Sequence, residues 1–70
     1  MGNLIYHVGP AGDHWEVEDS NGMPIADGAT KEEAIEAAKE AAGPDSAEIV
    51  VHTADGLVEK EIALHGEPKG

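Results

Sequence analysis

Alternating apolar and polar residues mark two strands near the N-terminus, because successive side chains on a β-strand point to opposite faces. Residues 3–10 form the first run and end at Gly9-Pro10. Residues 14–19 form the second, in which Trp15 and Val17 point one way and acidic side chains point the other. The first strand divides into two faces: Leu4, Tyr6 and Val8 on one, Ile5 and His7 on the other.

Two short motifs predict β-hairpins. Asn21-Gly22 follows the second strand, and Asp55-Gly56 follows a β-branched run at residues 47–53. Both pairs are typical of two-residue type I′ turns between antiparallel strands. A third strand is predicted after the first turn, and Pro24 places it at an edge of the sheet because proline lacks an N–H. Residues 57–64 after the second turn predict the last strand.

A helix is predicted at residues 30–43. Thr30 is a favourable N-cap residue, and Glu33, three residues later, completes a capping box. Gly43 then ends the helix, with a proline directly after it. Apolar residues at helical spacing predict the side that packs against the sheet. This stripe consists of Ala34, Ile35, Ala38, Ala41 and Ala42.

The predicted order is β-β-β-α-β-β, an α+β fold with a single antiparallel or mixed sheet and one helix packed on one face. Residues 1–64 are expected to form one small domain, and residues 65–70 a flexible C-terminal tail. Because the helix stripe is almost entirely alanine, larger side chains must supply most of the core. We expect these to be Leu4, Tyr6, Trp15, Val17, Ile35, Ile49, Val51 and Leu57.

Composition narrows the possible classes of protein. A chain of 70 residues holds one domain with a small core. It has no cysteine, so neither a disulfide nor a thiolate metal site is available. No run approaches the roughly 20 apolar residues of a membrane span, and the N-terminus lacks the regions of a signal peptide. We therefore expect a cytoplasmic protein that does not bind membranes.

The chain is strongly acidic, with a net charge of -11, four lysines and no arginine. This charge opposes direct binding to the phosphate backbone of nucleic acids. Three explanations stay open: adaptation to high salt, which screens self-repulsion; a basic partner, with nucleic-acid mimicry as a special case; or an ordinary acidic bacterial domain. The lack of phenylalanine and the many small residues favour the first explanation, whereas the lack of arginine opposes it.

Several motifs in fixed order resemble domain-of-unknown-function family 2188, a group of small prokaryotic proteins. The motifs are Tyr6-His7-Val8, Trp15 with Val17, residues 30–35, and Val51-His52 followed by Asp55-Gly56. The resemblance covers about residues 4 to 62. It departs at His65-Gly66, where the family usually has Tyr-Gly, and in charge, because relatives are often basic or balanced. The resemblance implies the fold derived above and assigns no function.

His7 and His52 are the candidate chemical residues, because imidazole is both a general base near neutral pH and a metal ligand. If the first and fourth strands are neighbours, the two histidines come within reach of each other and, with Glu48, form a candidate Zn²⁺ or Ni²⁺ site. The simpler interpretation is that His52 is a strand-end residue with a solvated ring. His14 and His65 have no spacing relation to this pair, and no cofactor is expected.

The favoured function is a non-enzymatic module that binds another protein, or a second copy of itself, through the open sheet face or a sheet edge. Strand parity assigns the following residues to the face away from the helix: Ile5, His7, Val50, His52, Val58 and Ile62. The alternatives are a nucleic-acid-associated or nucleic-acid-mimicking module and a small histidine-based metal-binding protein. Enzymatic activity ranks last, because the sequence shows no catalytic constellation.

Overall fold

A computed structural model describes residues 4–43 and 46–64 of the chain. The predicted order β-β-β-α-β-β is confirmed. The tail predicted at residues 65–70 lies outside the described residues. The elements are β1 (Leu4–Ala11), β2 (His14–Glu18), β3 (Pro24–Gly28), α1 (Lys31–Ala42), β4 (Ala47–His52) and β5 (Val58–Leu64).

The five strands form one mixed sheet in the order β3-β2-β1-β4-β5. β1 runs parallel to β4, and all other neighbouring strands are antiparallel. Pro24 lies in β3, which is an edge strand as predicted. Two strands that run in the same direction need a crossover connection, and α1 supplies it between β3 and β4. This crossover places the fourth strand beside the first.

The helix begins and ends where its capping residues predict. Thr30 Oγ1 accepts a hydrogen bond from the Glu33 backbone N–H at 3.2 Å, and Glu33 Oε1 accepts one from the Ala29 N–H at 3.0 Å. At the other end Gly43 has a φ of 61°, and its N–H donates to the Lys39 carbonyl oxygen at 3.1 Å. α1 has 12 residues. No helix in the described part of the chain is long and apolar enough to cross a membrane.

The core lies between α1 and one face of the sheet. Four of its larger side chains are fully buried: Val8, Val17, Ile49 and Val51. The alanine stripe packs on them through Ala34, Ala38 and Ala42, and Trp15 packs partly buried at the margin. Because alanine adds little apolar area, this core depends on close approach between helix and sheet.

Three residues predicted to be buried are instead exposed. Leu4 is 40% exposed at the start of β1, and Leu57 is 66% exposed because it lies before β5 in the loop that follows β4. Ala41, predicted to lie in the helix stripe, also faces solvent. The remaining larger side chains expected in the core are buried or pack against it.

Both predicted hairpins are present, but their turn type is wrong. In the β2–β3 loop the Asp19 N–H donates to the Met23 carbonyl at 3.0 Å, and the Gly22 N–H donates to the Asp19 carbonyl at 2.9 Å. The β4–β5 loop at residues 53–57 repeats both bonds. A type I′ turn needs a positive φ at both central residues, whereas among the described residues only glycines have one. In each loop three residues, 20–22 and 54–56, lie between the two hydrogen-bonded residues, and the glycine is the third of them.

Candidate functional site

The sheet face opposite α1 is not covered by any described element, and we call it the open face. Residues directly opposite each other in paired strands share a face, so the register assigns each side chain. The open face is formed by Ile5, His7, Gly9 and Ala11 of β1, His14, Glu16 and Glu18 of β2, Asp27 of β3, Glu48, Val50 and His52 of β4, and Val58, Glu61 and Ala63 of β5.

The parallel pairing of β1 with β4 brings His7 and His52 together near the centre of the open face. His7 Nδ1 and His52 Nε2 are 3.0 Å apart. The ring centroids are 5.2 Å apart, and the ring planes are inclined by 26°. At this distance one ring nitrogen donates a hydrogen bond to the other, so one ring presents an N–H and the other a lone pair. The condition set by the sequence, that the first and fourth strands be neighbours, is met.

The histidine pair lines a shallow depression of about 520 Å³. Glu16 and Glu18 of β2 line the same depression, as do residues of both hairpin loops. Gly9 lies between β2 and His52, where an added Cβ would be 3.7 Å from the His52 Cβ. The depression thus joins two imidazole rings to carboxylates, a set of groups that favours a cation over an anion.

Glu48 and Glu61 form a second close contact on the open face. A hydrogen bond between their side chains raises the pKa of Glu48 above the ordinary value of a glutamate. This hydrogen bond needs the proton, and repulsion between the two carboxylates after its loss raises the pKa further. In this part of the face no lysine neutralises the pair, because the described lysines lie on α1 or, for Lys60, opposite Val51 on the helix side of the sheet.

His14 lies at the start of β2 and pairs with two carboxylates. Its Nδ1 is 3.1 Å from Asp13 Oδ1, and its Nε2 is 3.2 Å from Glu16 Oε2. These hydrogen bonds, first with Asp13 and then with Glu16, raise the pKa of His14. The same contact lowers the pKa of Asp13. His14 therefore has its own partners, separate from the histidine pair.

Five of the six predicted face residues lie on the open face, and Ile62 does not. Ile62 is directly opposite Ile49 and packs against the core on the helix side. The cause is a β-bulge: Val58 is opposite His52 and Lys60 is opposite Val51, which leaves one extra residue between them. An extra residue reverses the parity of the strand beyond it.

Glu48 does not join the histidine pair. It is opposite Ile5, one row of side chains away from His7, and it contacts Glu61 instead. Within the described ranges, no group of three or more histidine, cysteine or acidic side chains has an arrangement that could hold a metal ion. The three-residue metal site considered from the sequence is therefore not assembled.

The sequence alone did not place the acidic residues of the open face beside the histidine pair. Glu16 and Glu18 were predicted to point away from Trp15 and Val17, but not to lie near His7 and His52. The Glu48–Glu61 contact depends on the register of the β4–β5 hairpin. The loop length between Thr53 and Leu57 would have fixed that register, had the three-residue turn been recognised.

Comparison with known proteins identifies a bacterial family. The family model described as an uncharacterized protein conserved in bacteria (DUF2188) matches residues 6–64. No curated protein and no solved structure matches the chain. The matched segment runs from β1 to the end of β5 and includes His7 and His52.

Proposed function

The chain belongs to the bacterial DUF2188 family, whose description assigns no activity, and we propose that it is a non-enzymatic module that binds a basic protein partner across its open face. The main support for this proposal is that α1 covers only one side of the five-stranded sheet. The other side presents apolar groups among acidic ones, with Ile5 37% and Val58 54% exposed. A solvent-exposed sheet face with this mixture suits a partner better than it suits bulk water.

Charge complementarity supports a basic occupant. The open face carries five carboxylates, at Glu16, Glu18, Asp27, Glu48 and Glu61, and among the described residues no lysine lies on it. A second copy of the chain would bring the same carboxylates against these, and like charges across an interface oppose association. A segment rich in lysine or arginine would instead place a positively charged side chain between the carboxylates of Glu48 and Glu61.

The geometry of a strand indicates how such a partner would fit. Side chains on one face of an extended segment are about 6.6 to 6.8 Å apart. Glu16 and Glu18 follow each other at this repeat along β2. An extended partner with a basic residue at every second position would match that spacing, with its backbone lying along the sheet. Because this recognition needs no enclosed cavity, a shallow surface is sufficient.

The proposal is tested with a synthetic 12-residue peptide of alternating lysine and threonine, titrated calorimetrically at low salt. Two double variants with equal charge are compared: Glu48→Gln with Glu61→Gln on the open face, and Glu36→Gln with Glu40→Gln on the exposed side of α1. Loss of two ion pairs at a surface is expected to weaken binding about two- to thirtyfold. That loss is expected in the open-face variant only.

Equal weakening in both variants would show that the peptide responds to total charge rather than to the open face, and would overturn the proposal. Light scattering of the protein without peptide measures whether it forms a dimer. A dimer at micromolar concentration that the open-face variant abolishes would make a second copy of the chain the occupant instead. Nucleic-acid mimicry is the narrower case. It would be identified if the chain does not bind duplex DNA but displaces duplex DNA from a basic nucleic-acid-binding protein.

Adaptation to high salt is the second candidate explanation of the charge, and one observation favours it. Acidic residues are not confined to the open face, because Glu32, Glu36 and Glu40 are exposed along α1. A ¹⁵N–¹H correlation spectrum stepped from low salt to about 2–3 M KCl tests this. A spectrum that is dispersed only at high salt would attribute the acidity to a saline cytoplasm. A spectrum that is dispersed throughout would leave the partner as the explanation.

A further inference from the structure

The contact between His7 and His52 has the dimensions of a metal chelate. Imidazole nitrogens bind Zn²⁺ at about 2.0–2.1 Å, so two nitrogens at ligand angles of 90–109° lie about 2.8–3.4 Å apart. The observed separation of His7 Nδ1 and His52 Nε2, 3.0 Å, falls within this range. We propose that these two nitrogens bind one late first-row divalent ion, Zn²⁺, Ni²⁺ or Cu²⁺, which prefers imidazole ligands.

Strand pairing fixes the distance between the two backbones that carry the rings. His7 is opposite Val50 and Val8 is opposite Val51, the residue before His52, so ladder hydrogen bonds fix the spacing of the two strands beside the pair. The described residues offer neither ring a hydrogen-bond partner besides the other ring. Among the described residues, binding an ion therefore breaks no hydrogen bond of either ring other than the one between them.

The proton balance is simple. In the metal-free pair one of the two facing nitrogens carries a hydrogen. Neutral imidazole can carry its hydrogen on either nitrogen, so a tautomeric shift moves it to the outer nitrogen of the same ring. Both facing nitrogens then present lone pairs to the ion. No proton leaves the protein when both rings are neutral, and no oxidation or reduction is involved.

The surroundings attract a cation. Glu18 is the cross-strand neighbour of His7, and Glu16 and Asp19 line the same depression. Since no group of three or more candidate ligand side chains is preassembled in the described residues, the chain supplies two ligands and leaves the other positions to water. Rotation of the Glu18 side chain toward the pair would add a third ligand from this chain. A site with open positions is also one that a bound partner's side chain can complete.

Titration of the untagged protein with NiCl₂ and ZnCl₂, followed by calorimetry and by the NMR signals of the histidine rings, tests the proposal. His7→Gln and His52→Gln are each expected to weaken binding about tenfold or more, since removal of even an indirect metal partner often costs that much. His14→Gln is the matched control: it removes a histidine of the same sheet face that contacts carboxylates and not the pair. It is expected to leave the affinity unchanged.

Ring signals of His7 and His52 that shift together at one equivalent of ion in the wild-type protein would support the site without any variant, so a misfolded variant does not prevent the test. CaCl₂, which seeks oxygen ligands, separates this site from general binding to the acidic surface. Equal effects of Ca²⁺ and Ni²⁺, equal losses in all three variants, or no shift of the two rings at millimolar ion would each overturn the proposal. These results are independent of the peptide-binding tests, because they use the free chain.

Discussion

Gly28→Ala is expected to destabilise the fold, because Gly28 of β3 lies directly against the first turn of α1. A Cβ at this position would be 2.7 Å from the Ala34 backbone nitrogen and 2.9 Å from the Glu33 carbonyl carbon. Both are backbone atoms, so a side-chain rotation cannot relieve the overlap. The helix must move outward, and that movement separates the alanine stripe from the sheet.

The magnitude follows from the cost of overpacking, which is about 1–3 kcal/mol in a well-packed core. A domain of this size has a free energy of unfolding of roughly 4–10 kcal/mol. With a urea slope near 1 kcal/mol/M, the midpoint of unfolding is expected to fall by about 1–3 M. Far-UV circular dichroism in a urea series measures this midpoint.

Gly9→Ala is the matched control for this prediction. Its Cβ would meet only the His52 Cβ, at 3.7 Å, which is ordinary van der Waals contact. Alanine restricts the unfolded chain more than glycine does, so Gly9→Ala is expected to raise the free energy of unfolding by about 0.4–1 kcal/mol. If Gly28→Ala unfolds at the same urea concentration as the wild type, or if Gly9→Ala is the more destabilising change, the close approach of α1 to β3 at Gly28 is wrong.

Three further predictions concern caps and charges, each read from urea midpoints. Thr30→Ala removes the N-cap acceptor and is expected to lower the free energy of unfolding by about 1 kcal/mol. The hydrogen bond from Lys31 at 2.8 Å lowers the pKa of Glu59, so the stabilisation from this ion pair is lost as the pH falls through that pKa. Glu59→Gln should therefore be less stable than wild type at pH 7, by a margin that shrinks as the pH falls toward the pKa of Glu59. The raised pKa of Glu48 has the opposite sign, because the folded state loses stability as the pH rises through it. Glu48→Gln keeps a hydrogen-bond donor for Glu61. The variant should therefore be more stable than wild type at pH 7 and equal to it near pH 3. The reverse order of stabilities would refute the hydrogen bond between Glu48 and Glu61.

Local signals in the sequence predicted the elements well, for a physical reason. The capping box at Thr30 and the glycine at position 43 satisfy backbone groups within a few residues, so they act before any tertiary contact forms. Strand alternation placed Tyr6 and Val8 on the buried face and His7 on the open one. These are properties of neighbours in sequence, and the sequence displays them directly.

The features that were missed depend on pairing between distant segments. The bulge opposite Val51 and His52 reverses parity within β5, which is why Val58 lies on the open face and Ile62 does not. The two loops were expected to have two residues, whereas Asp19 and Thr53 extend them to three by hydrogen bonding to the backbone across the turn. Neither a bulge nor a side-chain bond of this kind leaves a clear mark in the apolar pattern.

The histidine pair depends on strand order. His7 and His52 are 45 positions apart in sequence and meet only because the crossover returns the chain beside β1. A return to the outer edge at β3 would give the same pattern of elements and leave the rings far apart. The sequence therefore identifies His7 and His52 as a candidate pair but does not determine the strand order that brings them together.

Methyl NMR spectra recorded while the alternating lysine–threonine peptide is added would test most directly whether the open face is the binding surface. The methyl groups of Ile5, Val50 and Val58 report on the open face, and those of Ile35 and Ile49 report on the helix side and the core. Shifts confined to the first three at saturating peptide are the predicted result. Larger shifts at Ile35 and Ile49, with the open-face methyl groups unmoved, would contradict it.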